Sequence, residues 1–82
     1  MANVILTTDI AREFAAGETE LEIEASSMRA LIKALDARFP GIGEALSQGT
    51  SVAIDGQIYR EFFLEQVGPN SEVCFLPAIE GG

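Results

Sequence analysis

The sequence predicts an α+β domain of two layers, a sheet and the helix that covers it. Three observations carry that expectation. Residues 19–24 alternate polar and apolar with the period of two that marks a half-buried strand. Met28, Leu31, Ile32, Leu35 and Phe39 recur at spacings of three and four, which places them on one stripe of a helix. Asp55-Gly56 lies between two short apolar runs, the pattern of a tight hairpin. Only one stretch is long enough to form a sheet-covering helix, so strands and helix segregate into two layers.

The elements follow in order. Val4-Ile5-Leu6-Thr7-Thr8 is β-branched and apolar and reads as a strand. Its near-continuous apolarity predicts a central strand covered on both faces. Residues 11–16 suit a short helical turn with Phe14 inward, and Gly17-Glu18 a chain reversal. In the alternating strand Leu21 and Ile23 point inward and three glutamates line the other face. Ser26 or Ser27 caps the long helix by accepting a hydrogen bond from a free backbone N–H. Pro40-Gly41 stops it, because proline disfavours helical geometry in the residue before it and glycine takes up the turn. Arg29 and Lys33 sit one turn apart on its exposed side.

Residues 42–48 read as an irregular or weakly helical connector. Residues 51–54 and 57–59 form the hairpin, with a type I′ turn at Asp55-Gly56. Residues 61–67 match no period; Phe62, Phe63 and Leu64 are expected to fix them to the core. Gly68-Pro69-Asn70-Ser71 is a turn. Residues 72–76 are the last strand, ended by Pro77, which cannot donate to a ladder. The first and last strands are the most apolar and are expected side by side in the sheet centre; if parallel, they carry the last strand out to a terminus beyond the sheet edge. The chain then divides into a domain over residues 1–76 and a tail over 77–82, which reaches about 20 Å when fully stretched.

Composition bounds the function. Eighty-two residues make one domain, and an apolar content of 48% is too high for disorder. No apolar run approaches the ~20 residues of a membrane span, and no positive charge precedes an apolar stretch at the N-terminus. The single Cys74 forms no internal disulfide and fits a reducing, cytoplasmic setting. A net charge of −8 with five cations argues against nucleic acid and anionic membranes as partners and permits a basic protein.

With no histidine and one cysteine, the chain holds no Ser-His-Asp or Cys-His nucleophile system, no zinc site built on His and Cys, and no four-cysteine cluster. No glycine-rich loop ends in Lys-Ser or Lys-Thr, so there is no P-loop. The expectation is a protein with no bound metal or cofactor and no catalytic residues of its own. Cys74, in an apolar strand, reads as a small buried or half-buried residue. A sulfur-carrying role for it is disfavoured, since no cationic neighbour stands near it in sequence.

The last residues, Phe75-Leu76-Pro77-Ala78-Ile79-Glu80-Gly81-Gly82, carry the chemistry. A carboxyl group on two glycines has no Cβ on either side and enters a narrow channel in backbone conformations closed to other residues. A carboxylate is a poor electrophile until one oxygen becomes a leaving group, and glycine leaves little obstruction to attack.

Taken in order, Val52-Ala53-Ile54-Asp55-Gly56, Gly68-Pro69-Asn70-Ser71-Glu72-Val73, Phe75-Leu76-Pro77 and Gly81-Gly82 resemble the ubiquitin-like β-grasp sulfur carriers. The match is closest to the small subunit of molybdopterin synthase (MoaD type), with the thiamine sulfur carrier (ThiS type) as near relative, and covers essentially the whole chain. The resemblance implies a mixed sheet of four to five strands on one long helix, with a flexible C-terminal tail.

It also implies a chemistry. A ubiquitin-activating-type enzyme uses ATP to adenylate Gly82, a sulfur donor converts the adenylate to a thiocarboxylate, and the sulfur passes to an intermediate in a synthase large subunit or other acceptor enzyme. By the same resemblance Gly82 bears the reacting carbonyl, Gly81 gives clearance, and Phe75, Leu76, Pro77 and Ile79 dock the tail on partners. The chain departs from the MoaD-type tail at Ala78, where a second proline is usual, and at Glu80, where a small residue is usual, so thiamine, cysteine, molybdenum-cofactor and tungsten-cofactor routes all stay open as alternatives. Two rival readings start from the same residues: a modifier joined through Gly82 to lysines, and an interaction domain with an inert tail.

Overall fold

Thr7 decides where the first strand gives way to a helix. Its backbone is extended and its hydroxyl accepts a hydrogen bond from the Ile10 N–H at 3.2 Å, which caps helix α1 over Thr8–Phe14. Strand β1 therefore spans Ala2–Ile5, beginning two residues earlier than the apolar run suggested. The β-branched threonines that favour a strand in isolation are taken by the cap and the first turn. The computed structural model describes residues 1–77 of the chain. The expectations placed on Ala78, Ile79, Glu80, Gly81 and Gly82 lie outside the described residues.

The other elements are β2 (Glu20–Ile23), α2 (Met28–Arg38), α3 (Ile42–Ser47), β3 (Thr50–Ile54), β4 (Gln57–Tyr59) and β5 (Glu72–Pro77). The strands form one mixed sheet in the order β2-β1-β5-β3-β4. β1 and β5 are adjacent, as expected, and run parallel; every other pairing is antiparallel. β5 holds the centre. β1 is interior but not covered on both faces: Ala2 and Val4 are buried, whereas Asn3 and Ile5 are only half-buried. With helices on one side only, a run of apolar residues does not by itself mean burial on both.

The core forms between the helices and one face of the sheet. Ala2, Val4, Leu21, Ile23, Val52, Ile54, Val73 and Phe75 face Met28, Leu31, Ile32, Leu35, Ile42 and Leu46. Ser27, not Ser26, is the α2 cap, accepting from the Ala30 N–H at 3.1 Å. Of the apolar stripe, Phe39 alone stays half-buried, at the helix end, with the Arg38 guanidinium over its ring at 5.2 Å. The connector at 42–48 is a true helix through Ser47, because Ile42, Gly43 and Leu46 have a buried place to go. Asp36 fixes the corner before it: one carboxylate oxygen accepts from the Gly41 and Gly43 N–H groups at 3.2 and 3.0 Å. Gly41 takes a φ of 97°, and a Cβ there would lie 3.1 Å from the Phe14 ring.

One expectation is overturned. Residues 61–67 contribute only Phe62 and Val67 to the core; Phe63 is 41% and Leu64 86% exposed. The segment makes a turn at Phe63-Leu64. Consecutive residues in a turn cannot all face one core. Phe62 takes the inward place, edge-on to Phe75 with ring centres 6.0 Å apart, and Phe63 stacks outside it at 5.4 Å. Backbone bonds from the Met28 N–H to the Glu65 carbonyl and from the Val67 N–H to the Ser26 carbonyl fasten the segment to the start of α2.

Candidate functional site

The central strand delivers the chain to the tail, and Asp55 fixes where that strand begins. Asp55 and Gly56 have φ values of 50° and 88°, as a type I′ turn requires, and Ile54 pairs with Gln57 across it. The Asp55 carboxylate accepts from the Glu72 N–H at 2.9 Å and from the Ser71 hydroxyl at 2.8 Å. The Asp55 N–H in turn donates to the Glu72 carbonyl at 2.9 Å, and the Ser71 oxygen accepts from the Gly68 N–H at 2.8 Å. Hydrogen bonds to the ionised form, that from the Glu72 backbone first and that from Ser71 second, hold the Asp55 carboxyl below its ordinary value of 3.8. The hairpin tip and the loop before β5 are thereby one unit.

From that anchor β5 runs to Pro77, opposite Thr50 of β3. The strand extends one residue beyond the expected end at Leu76. Pro77 is exposed and Leu76 half-buried on the face away from the helices, paired with Ser51. Phe75 is only 2% exposed and points into the core. It presents no surface to a partner, so the docking role that the sequence suggested for it is confined to shaping the strand. Thr7, Asp9, Ile10, Gln48, Gly49 and Thr50 surround Pro77 in a shallow depression at the end of the sheet.

Beside Cys74 and the β2 glutamates, the sheet face opposite the helices carries residues that the sequence did not single out. The strand registers align Glu20, Ile5, Cys74, Ala53 and Ile58 in one row across all five strands. At 4.7–4.9 Å per strand the row is about 19 Å long. Ile5, Cys74 and Ala53 are half-buried by their neighbours, and Ile58 is 57% exposed. Beside it runs a parallel row, Glu22, Asn3 and Glu72. The alternation within 51–54 and 57–59 does pair Ala53 with Ile58, but which side meets solvent depends on where the helices pack. Cys74 sits half-buried on this face, beside Ile5 and Ala53 and not beside a cation.

Charge is divided by layer. The helices carry Asp9, Glu13, Asp36 and Glu44 against Arg12, Arg29, Lys33 and Arg38, and are neutral in sum. The net −8 of the chain therefore belongs wholly to strands, connections and tail. Among the described residues no group of three or more His, Cys, Asp or Glu is arranged to hold a metal ion, and no helix is long and apolar enough to cross a membrane.

A mixed five-stranded sheet with parallel β1 and β5 at its middle, grasping α2 on one face and leading its central strand to an exposed end, defines a ubiquitin-like β-grasp domain. The chain belongs to the ThiS family, whose pattern matches residues 5–82, and is a domain of the ubiquitin-like sulfur-carrier type. No curated protein sequence matches it.

Solved structures agree in fold. CysO of Mycobacterium tuberculosis superposes with a TM-score of 0.85 at 17% identity, covering 96% of this chain and 100% of that one. The BexX/CysO complex of Amycolatopsis orientalis holds a chain that gives 0.84 at 22%, covering 100% of both. The small archaeal modifier protein 1 of Methanosarcina acetivorans gives 0.79 at 19%, covering 99% and 95%.

Proposed function

We propose that this protein is a cytoplasmic sulfur carrier whose reactive group is the Gly82 carboxylate, worked on by partner enzymes. The observation that carries the reading is the family match reaching through Gly82, on a domain whose anchored central strand leads directly into that tail. A Gly82 oxygen attacks the α-phosphorus of ATP bound by an adenylating enzyme and expels pyrophosphate. A sulfide equivalent then adds to the acyl carbonyl and expels AMP, leaving a thiocarboxylate. The carrier supplies a slim chain end and no catalytic side chain; ATP and the sulfur donor belong to the partners. Pro77 stiffens the start of the tail, Gly81 clears the channel walls, and Ile79 and Leu76 supply apolar grip.

The acceptor is a biosynthetic enzyme holding an electrophilic intermediate. The sequence resemblance favours a synthase large subunit of the molybdopterin type, with a thiamine- or cysteine-pathway acceptor as the alternative on the same chemistry. A second reading, conjugation through Gly82 to lysine amines, is favoured by the likeness to a small archaeal modifier protein and shares the acyl adenylate.

Incubation with the cognate adenylating enzyme, ATP and a sulfide source tests the proposal by intact mass. The expected result is replacement of one oxygen by sulfur, localised to Gly82 and abolished by deleting Gly82. No exchange with an enzyme proven active on another carrier overturns it. High-mass ladders on denaturing gels of cell extract, lost with the same deletion, would instead establish conjugation.

A further inference from the structure

The two edges of the sheet are unlike, and nothing in the transfer chemistry of the tail requires the difference. β2 and its flanks carry Glu18, Glu20, Glu22 and Glu24, all exposed, with no cation between Glu13 and Met28. Charge along a free strand is what keeps another strand from pairing with it. β4, at the other edge, is Gln57-Ile58-Tyr59 and carries none. Among the described residues Ile58, Phe63 and Leu64, three of the four large apolar side chains left exposed, lie on β4 or in the segment after it. The backbone of β4 is free as well. The Asp55 N–H donates to the Glu72 carbonyl, so along β3 the odd-numbered residues bond to β5 and the even-numbered ones to β4. Gln57 and Tyr59, opposite Ile54 and Val52, therefore spend their bonds on β3, and the Ile58 N–H and C=O point away from the sheet.

We propose that β4 is a pairing edge for a second copy of this chain: two β4 strands join antiparallel about a twofold axis at Ile58, which exchanges both of its free backbone bonds with Ile58 of the copy. The two five-stranded sheets become one. A twofold contact must be self-complementary, and a strand that offers one N–H and one C=O at its midpoint is so by construction. The same register sets Arg60 opposite Gly56 of the copy, beside the acidic tip of its hairpin. Each molecule carries −8, so two copies repel, but not equally everywhere. The β2 glutamates lie four strand spacings from β4, about 19 Å, against a screening length of about 8 Å at physiological salt. Arg60, Asp55 and Glu61 flank β4 and leave one net negative charge there. A basic peptide, the expected ligand of an acidic surface, finds no carboxylate on this strand. Because β4 has only three residues, the pairing is weak and reversible. β4 and β5 both run antiparallel to β3, so in the pair the two β5 strands point in opposite directions, five spacings or about 24 Å apart. The two Pro77 ends then leave from opposite ends of the joined sheet, open to two partners at once. The inference stands without the reading of Gly82.

The experiment follows the mass of the full chain by sedimentation over a concentration series, at low and at high salt. The mass is expected to climb from 8.7 kDa towards twice that value, with a dissociation constant about threefold lower at high salt, where the repulsion between copies is screened. Ile58→Lys places a charge on the axis and is expected to raise the dissociation constant at least about tenfold, although it lessens the net negative charge that opposes association. Ala37→Lys, the same charge change on the exposed side of α2, is expected to stay within about twofold of wild type. Amide hydrogen exchange on the wild type reads the same contact without a variant. The Ile58 N–H is expected to exchange more slowly as concentration rises, and the amides of β2 to stay unchanged.

A monomer mass at every concentration and salt overturns the inference, as does a dimer that Ile58→Lys leaves intact. Slowed exchange on β2 and not at Ile58 would place the contact on the other edge and overturn it equally. An Ile58 N–H that is protected only when a different protein is added would give the edge to that occupant and remove the pairing of copies. None of these outcomes touches the chemistry of the tail.

Discussion

Val73 and Phe75 on one side of β5, and Cys74 and Leu76 on the other, alternate along a single stretch of chain and meet opposite surroundings. The helices close over Val73 and Phe75, whereas Cys74 and Leu76 lie on the face no helix covers. Both pairs are apolar, and residue type alone does not separate them. The difference teaches that in a two-layer domain the central strand holds the fold together with one face and leaves the other bare. Substitutions on the inner face should therefore cost stability, and those on the outer face should cost little.

The inner face should break first and hardest. Phe75→Ala removes a ring packed edge-on against Phe62 and is expected to cost about 3–5 kcal/mol, read as a lowered urea midpoint at unchanged slope. A loss under about 1 kcal/mol would mean that the site collapses around the missing ring and that Phe75 is not central to the core. Ser27→Ala lies on neither face and provides a yardstick of about 1 kcal/mol, the usual worth of a capping hydroxyl. At the opposite extreme, Ile58→Thr is expected to change stability by less than about 0.5 kcal/mol, since Ile58 is already mostly in water. Loss of stability comparable to Phe75→Ala would show that the outer face is structural after all.

Asp55 sharpens the comparison through pH. Its carboxyl is held below 3.8 in the folded protein, so the folded state binds fewer protons here than the unfolded chain does. The stabilisation is complete above the unfolded value and is lost as pH falls through the lower, folded one. Asp55→Asn should therefore lower the melting temperature at neutral pH and flatten its decline below about pH 4, the unfolded value of an aspartate. A decline as steep as wild type would assign the acid sensitivity to other carboxylates. The effect is expected to be the smallest measurable loss of stability, because the group lies at the solvent-exposed tip of the hairpin.

Much of the fold was legible because local chemistry agreed with tertiary need. The turn at Asp55-Gly56 demands positive φ at both residues whatever surrounds it, and the stripe from Met28 to Leu35 admits one amphipathic orientation. The segment at 61–67 was not legible. Three consecutive apolar residues say that something is buried, but only the turn at Phe63-Leu64 decides that Phe62 alone of the three goes inward. The end of β1 was misplaced for a related reason: Thr7 serves equally well as a strand residue and as a cap, and the helix that follows makes the choice. At the candidate site, Leu76 and Pro77 were found from the sequence, whereas the row from Ile5 to Ile58 was not, since its members come from separate stretches of chain.

The sequence by itself determined the element order, the hairpin and the capped central helix, because each depends on backbone preferences or periodicities within a few residues. Only the tertiary structure decided which face of the sheet lies bare and that the net negative charge sits away from the helices. Those facts follow from strand register and helix placement, which join residues far apart in the chain and which no local pattern encodes.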